Sequence, residues 1–123
     1  MSDTPTKLGV APNVGGLLSY VPCCVGFIFS IVAVVIEKEN KFVRFHAFQS
    51  LLLHGAAFVV IFAIQVLSIV SGMVMGGLGA LVGLINMPIG LAFLGAMIFM
   101  MIKANNNEEF KLPVIGDMAT QWV

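Results

Sequence analysis

Few side chains in this sequence could do chemistry, and most of them fall on one helical face. His46, Ser50, His54, Ala57, Ile61, Gln65 and Ser68 recur at helical spacings, with Gln49 on the flank. At about 100° per residue these positions share one side of a helix. The face offers imidazole, hydroxyl and amide groups but no carboxylate. Ser50 and His54 stand at i, i+4, within reach of one another, which is the start of a nucleophile–base pair. Activation also needs an orienting third group and an oxyanion donor, and the sequence supplies neither. Acidic residues occur only in the tails and in Glu37–Glu39, too far along the chain to serve that face as a general base or metal ligand. The sequence therefore assigns no catalytic residue, no metal set and no cofactor, and the chain reads as non-enzymatic. His54, followed by Gly55-Ala56-Ala57, has room beside it for a flat macrocycle and is the one cofactor candidate. A haem would usually want a second axial His from another span, and none is present, whereas a pigment needs one ligand. Cys23 and Cys24 are adjacent, lack CxxC spacing and read as two small buried residues.

The elements that must carry this face are dictated by composition. The chain has 123 residues, 59% of them apolar and 10% charged, against about 25% charged in a soluble domain. Its charges are also segregated. The runs Leu8–Ile36 (29 residues) and Phe45–Ile102 (58 residues) contain no Lys, Arg, Asp or Glu, and 18 apolar residues already mark a membrane span. A soluble enzyme, a disulfide-rich secreted domain and a nucleic-acid binder, which needs a basic stripe, are excluded.

The run lengths predict an all-α integral membrane three-helix bundle with a short C-terminal interfacial helix. Residues 1–12 form a polar tail, residues 13–103 the membrane domain and residues 104–123 a C-terminal tail. Spans are expected at about 14–36, 45–70 and 78–102, each near the 20 residues that cross about 30 Å of hydrocarbon. Asn13 is the expected N-cap of the first span, and the glycine-dense stretch Ser71–Gly77 the second connection. Pro88 should kink the third span near Asn86. Asn105–Glu109 reads as a solvated hinge. Beyond Pro113, the spacing of Ile115, Met118, Ala119 and Trp122 predicts an interfacial helix anchored by tryptophan.

With three spans, the charged turn and the C-terminal tail share a side and hold Lys38, Lys41, Arg44, Lys103 and Lys111, against Lys7 alone on the other. The positive-inside rule then places residues 37–44 and the C-terminus in the cytoplasm, in a bacterial inner membrane. Small residues form two stripes, Gly15, Ser19, Cys23, Gly26, Ser30, Ala33 and Gly76, Gly79, Ala80, Gly83, Asn86, Gly90, which read as seams where backbones approach closely. Lys41, Phe42, Arg44, Phe45, Phe48 and Trp122 read as a lipid- or partner-contacting rim. The polar face His46, Gln49, Ser50, His54, Gln65, Ser68 should point into the bundle or a partner, because lipid offers it no hydrogen bonds.

The segment Glu37-Lys38-Glu39-Asn40-Lys41-Phe42-Val43-Arg44-Phe45-His46-Ala47-Phe48-Gln49-Ser50 resembles the signature of a widespread family of small bacterial and archaeal membrane proteins. Leu17-Leu18-Ser19-Tyr20, Gly26-Phe27-Ile28-Phe29 and Phe110–Ala119 are similar to the family's opening and tail, so the resemblance covers roughly Gly9–Ala119. The family is functionally uncharacterised and distantly similar to the small membrane component of the chloroplast inner-envelope protein-import machinery. The resemblance implies a helical subunit working with other proteins, with Arg44, Phe45, His46, Gln49, Ser50, Pro113, Gly116 and Asp117 as its marked positions. The partners expected are the lipid bilayer and other membrane subunits. The expected function is an accessory or scaffolding subunit; the alternatives are a component of a protein-translocation or small-solute pathway, or a pigment or haem carrier through His54.

Overall fold

The computed structural model describes residues 5–123, and among them every regular element is an α-helix: α1 (Pro12–Ser19), α2 (Cys24–Ile36), α3 (Lys41–Val74), α4 (Gly76–Gly83), α5 (Asn86–Asn105) and α6 (Ile115–Trp122). The stretch expected as one helix over 14–36 is two. Pro22 biases Val21 away from helical backbone, and Cys23 takes a positive φ of 69° before α2 starts. The turn is tight: a Cβ at Gly26 would overlap the Val21 carbonyl. Helix α1 begins at Pro12, a residue suited to a helix's first turn, so Asn13 is not its N-cap; the Asn13 side chain instead donates to the Asn105 carbonyl at 3.3 Å.

Helices α1 and α2 leave and return to the same end of the molecule. The Lys7 backbone N–H donates to the Glu37 carboxylate at 2.8 Å, and Lys7 Nζ lies 3.1 Å from Glu39. This corrects the expectation that Lys7 shares an end with the glycine turn. Lys7 sits with the other cations, and α1–α2 is a hairpin with its tip at Tyr20–Cys23.

Helix α3 starts at a capped end, where Asn40 Oδ1 accepts from the Val43 N–H at 3.0 Å. Its 34 residues extend about 51 Å. Met75 breaks the run with extended backbone, and α4 returns against α3. The approach is close because it is made by glycines: a Cβ on Gly79 would sit 2.7 Å from Gly72 Cα and from the Ser68 carbonyl. The α4–α5 break falls at Leu84–Ile85. Leu84 is the i−4 residue of Pro88, whose ring displaces that carbonyl from helical bonding; the kink expected at Pro88 therefore lies one turn upstream. Among the described residues, Lys41–Val74 and Gly76–Asn105 are the two stretches long and apolar enough to cross a membrane.

Two apolar clusters hold the charged end together, Tyr20 with Leu53, Met97, Met100 and Ala104, and Ala33 with Phe42, Val43 and Ala47. Phe42 and Phe45, expected at the lipid rim, are buried instead, because α1 and the C-terminal tail cover the first turns of α3. Cys23 and Cys24, expected buried, are exposed at the hairpin tip.

Candidate functional site

The buried polar groups meet where the α1–α2 hairpin, the start of α3 and the C-terminal tail converge. Tyr20 lies at the centre, fully buried. Gln49 Nε2 donates to its hydroxyl oxygen at 2.8 Å, so the Tyr20 proton is left for His46 Nδ1, 3.2 Å away. His46 then carries its own proton on Nε2. Its ring is packed edge-on against Tyr20, Phe42 and Phe45, with the Glu108 backbone beside it.

Gln49 does more than position Tyr20. Its Nε2 also donates to the Phe110 carbonyl at 3.0 Å, and its Oε1 accepts from the Leu112 N–H at 2.9 Å. One amide thus reads the backbone of Phe110–Leu112 as a neighbouring strand would. The tail then turns at Val114 (φ 66°) into α6. Gly116 allows the contact, since a Cβ there would lie 2.6 Å from Lys111 Cα and 2.7 Å from Gln49 Oε1. Trp122 closes the clasp edge-on against Phe48, with centroids 5.8 Å apart.

The hairpin is tied to α3 by hydroxyls. Ser50 Oγ donates to the Ser19 carbonyl; Ser30 Oγ lies 2.7 Å from the Gly26 carbonyl and 3.1 Å from that of Ser19. His54 Nδ1 donates to the Ser50 carbonyl at 2.9 Å. Ser50 Oγ also lies 3.2 Å from His54 Nδ1, and with the Nδ1–H given to the Ser50 carbonyl and the Ser50 proton to Ser19 the pair holds the helix contact together. His54 lines a cavity of about 410 Å³ at the hairpin tip with Cys23, Cys24, Phe27, Gly55 and Phe58. Its Nε2 lacks a partner among the described residues, and no group of three or more His, Cys, Asp or Glu gathers there or elsewhere among them.

Charges at this end are used to finish helices. Arg44 NH1 donates to the Val34 and Glu37 carbonyls at 3.0 and 2.8 Å, and NH2 reaches the Trp122 carbonyl at 3.4 Å. A guanidinium on the last carbonyls of α2 satisfies orphan acceptors and complements the helix dipole. Arg44, expected in the lipid- or partner-contacting rim, is committed to this cap and stacks on Phe48 at 5.2 Å. Glu37 is fully buried, its carboxylate accepting the N–H groups of Lys7 and Asn40.

Further along α3 the expected polar face divides. His46, Gln49 and Ser50 are buried, and Ser68 Oγ donates to the Gly79 carbonyl at 2.7 Å. Gln65 is exposed, and among the described residues its one side-chain hydrogen bond is to Asn86, whose Nδ2 lies 3.3 Å from Gln65 Oε1. Among the expected packing residues, Gly15 faces Val43 and Gly83 faces Ser68, whereas Gly90 has open space around it and makes no seam.

Tyr20, the hub of this lock, is missing from the sequence-derived face because it stands on another element. A lone tyrosine in an apolar run, two residues before a proline, was the available signal.

The model of the MamF/MmsF family, described as the magnetosome magnetite crystal formation protein family, matches residues 5–119. The chain belongs to this family. It is 42% identical over 117 residues to a UPF0132 membrane protein of Methanocaldococcus jannaschii, covering 95% of this chain and 93% of the relative. It is 35% identical over 112 residues to a UPF0132 membrane protein of Archaeoglobus fulgidus, covering 90% and 94%. A second M. jannaschii UPF0132 membrane protein is 29% identical over 116 residues, covering 94% and 72%. No solved structure matches the chain. These relatives and the two long apolar stretches make this MamF/MmsF-family chain a membrane protein.

Proposed function

We propose that this MamF/MmsF-family chain is a non-enzymatic accessory or scaffolding subunit that works by association within a larger membrane assembly. The observation that carries the reading is the Gln49 clasp. Polar groups at the charged end are spent on bonds inside the chain, which fix the tail and the hairpin into one rigid platform. That platform leaves Lys38, Glu39, Lys41, Glu109, Lys111 and Asp117 exposed around a single rim, a mixed-charge surface suited to protein contact. In this reading α3 and α4–α5 cross the bilayer, and α1–α2 dips in from the charged side and returns. The earlier three-span bundle becomes two spans and a re-entrant hairpin, and the positive-inside rule puts the rim in the cytoplasm of a cell with an inner membrane. The translocon likeness and the link to magnetite crystal formation in the family's description would be two settings for such a subunit; neither is needed for the geometry.

Two experiments test this. Tagged protein solubilised in mild detergent should bring down partners in fixed stoichiometry; recovery of the chain with nothing bound removes the proposal. In a Cys23→Ser, Cys24→Ser background, cysteines at Thr6 and Glu39 should react with an impermeant maleimide from one side of sealed vesicles, and one at Met75 from the other. Thr6 and Glu39 on opposite sides would restore a crossing first span.

The unpaired Nε2 of His54 beside the hairpin-tip cavity favours one second reading, a carrier of an apolar cofactor. Purified protein should then absorb visible light, and a colourless preparation ends that reading.

A further inference from the structure

The hairpin covers only part of α3. Its tip residues Cys23, Cys24 and Phe27 lie beside His54 and Phe58; beyond Phe58, the described residues flanking α3 are those of α4–α5. There Phe58, Ile61, Phe62 and Gln65 line a groove of about 300 Å³. Phe58 and Phe62 are stacked 5.8 Å apart and both are more than half exposed. Positions 58, 62, 65 and 69 follow the i, i+4, i+7, i+11 pattern of a helix seam.

Apolar side chains facing lipid need no partner, but Gln65 is different. It stands 24 residues beyond Lys41, roughly 36 Å along the helix, and nine residues before Val74, inside the apolar stretch. Its Oε1 receives one hydrogen bond, from Asn86 at 3.3 Å, and its Nε2 donates to nothing among the described residues. Asn86 Oδ1, buried at the same level, is also unpaired. Two amide groups left half-satisfied where lipid tails supply neither donor nor acceptor are unfavourable in an isolated chain.

We propose that this face is the seam of a parallel homodimer, closed by Gln65. A carboxamide is its own complement. The free Nε2–H of one Gln65 donates to the second lone pair of the other copy's Gln65 Oε1, and the reverse bond follows by two-fold symmetry. Segregation of charge to one rim gives both copies the same orientation in the bilayer, so the axis lies along the membrane normal. Phe58, Phe62 and Ile69 then pack across it. The seam occupies the part of α3 that the hairpin does not reach, which leaves the charged platform free for the association proposed above; the two readings stand independently.

The test is disulfide cross-linking in proteoliposomes at low protein-to-lipid ratio, in the Cys23→Ser, Cys24→Ser background. Phe62→Cys and Ile69→Cys should cross-link on oxidation, whereas Val60→Cys and Leu67→Cys, on the opposite side of α3, should not. Adding Gln65→Leu should lower cross-linking at both seam positions about tenfold, the scale of interhelical amide bonds in lipid, with unchanged helical circular dichroism and unchanged protease resistance of the tail. Equal cross-linking at all four positions, or cross-linking indifferent to Gln65→Leu in protein that keeps its helicity, overturns the dimer. So does native-membrane cross-linking from Phe62→Cys that yields only a heteromeric product.

Discussion

Replacing Gln49 with Leu should release the C-terminal tail while leaving the helices in place. The side chain makes three hydrogen bonds, to the Tyr20 hydroxyl at 2.8 Å, to the Phe110 carbonyl at 3.0 Å and from the Leu112 N–H at 2.9 Å. Net contributions are about 1 kcal/mol each in soluble proteins and about 0.6 in membranes. Two of the three hold the tail, and the third holds the side chain in position to do so. The two tail bonds are worth about 1 to 2 kcal/mol together, so the detached fraction of the tail should rise roughly 5- to 30-fold. Leucine is close in volume, so the change comes from the lost bonds and not from a cavity. Hydrogen exchange in nanodiscs reads this directly, because the Leu112 amide and the α6 amides Met118–Thr120 exchange through tail detachment. Their protection should fall by the stated factor, while amides in the middle of α3 stay unchanged. Equal protection in the variant and the parent would refute the clasp; loss of protection throughout α3 would show that Gln49 supports the whole fold and not the tail.

Gly116→Ala should mimic that result by a different route, since its Cβ meets Lys111 Cα at 2.6 Å and Gln49 Oε1 at 2.7 Å; overpacking of this kind costs about 1–3 kcal/mol, read as the same loss of Leu112 protection. Gly79→Ala should lower stability in detergent by a similar roughly 1–3 kcal/mol, because its Cβ meets backbone of α3, whereas Gly90→Ala, with open space around it, should hold or gain up to about 1 kcal/mol from helix propensity. Arg44→Leu should cost on the order of 1–3 kcal/mol in the same denaturation measurement by uncapping α2, and Arg44→Lys should recover only part of it because a lysine cannot span the Val34, Glu37 and Trp122 carbonyls together.

Local periodicity and run length were enough to read several elements of this protein. The 58-residue uncharged run announces α3 and α4–α5, the glycine stretch brackets the break at Met75, and the spacing of His46, Gln49 and Ser50 puts them on one buried face. The hairpin was not legible, because a 29-residue apolar run is the same length whether it crosses a bilayer or enters and returns. Only Pro22, inside that run, hints at the turn. Arg44 and Phe45 were misplaced for a related reason. At a membrane rim a cation and a ring suit lipid as well as they suit a helix end or a core, and the choice is made by α1 and the tail, elements distant in sequence. Gln65 falls on the same face as Ser68, yet it is left outside because α4 covers one side of α3 and no described residue covers the next.

The bare turn at Met75 has a consequence for biogenesis. Between Arg44 and Lys103 no ionic side chain occurs, so in the proposed two-span arrangement pushing the α3–α4–α5 loop through the bilayer drags no charge across hydrocarbon, a toll of roughly 2.5–3.5 kcal/mol for each Asp, Lys or Arg otherwise. In that arrangement insertion proceeds wholly from the charged side, and the ionic groups from Lys7 to Arg44 and from Lys103 to Asp117 stay on that side throughout.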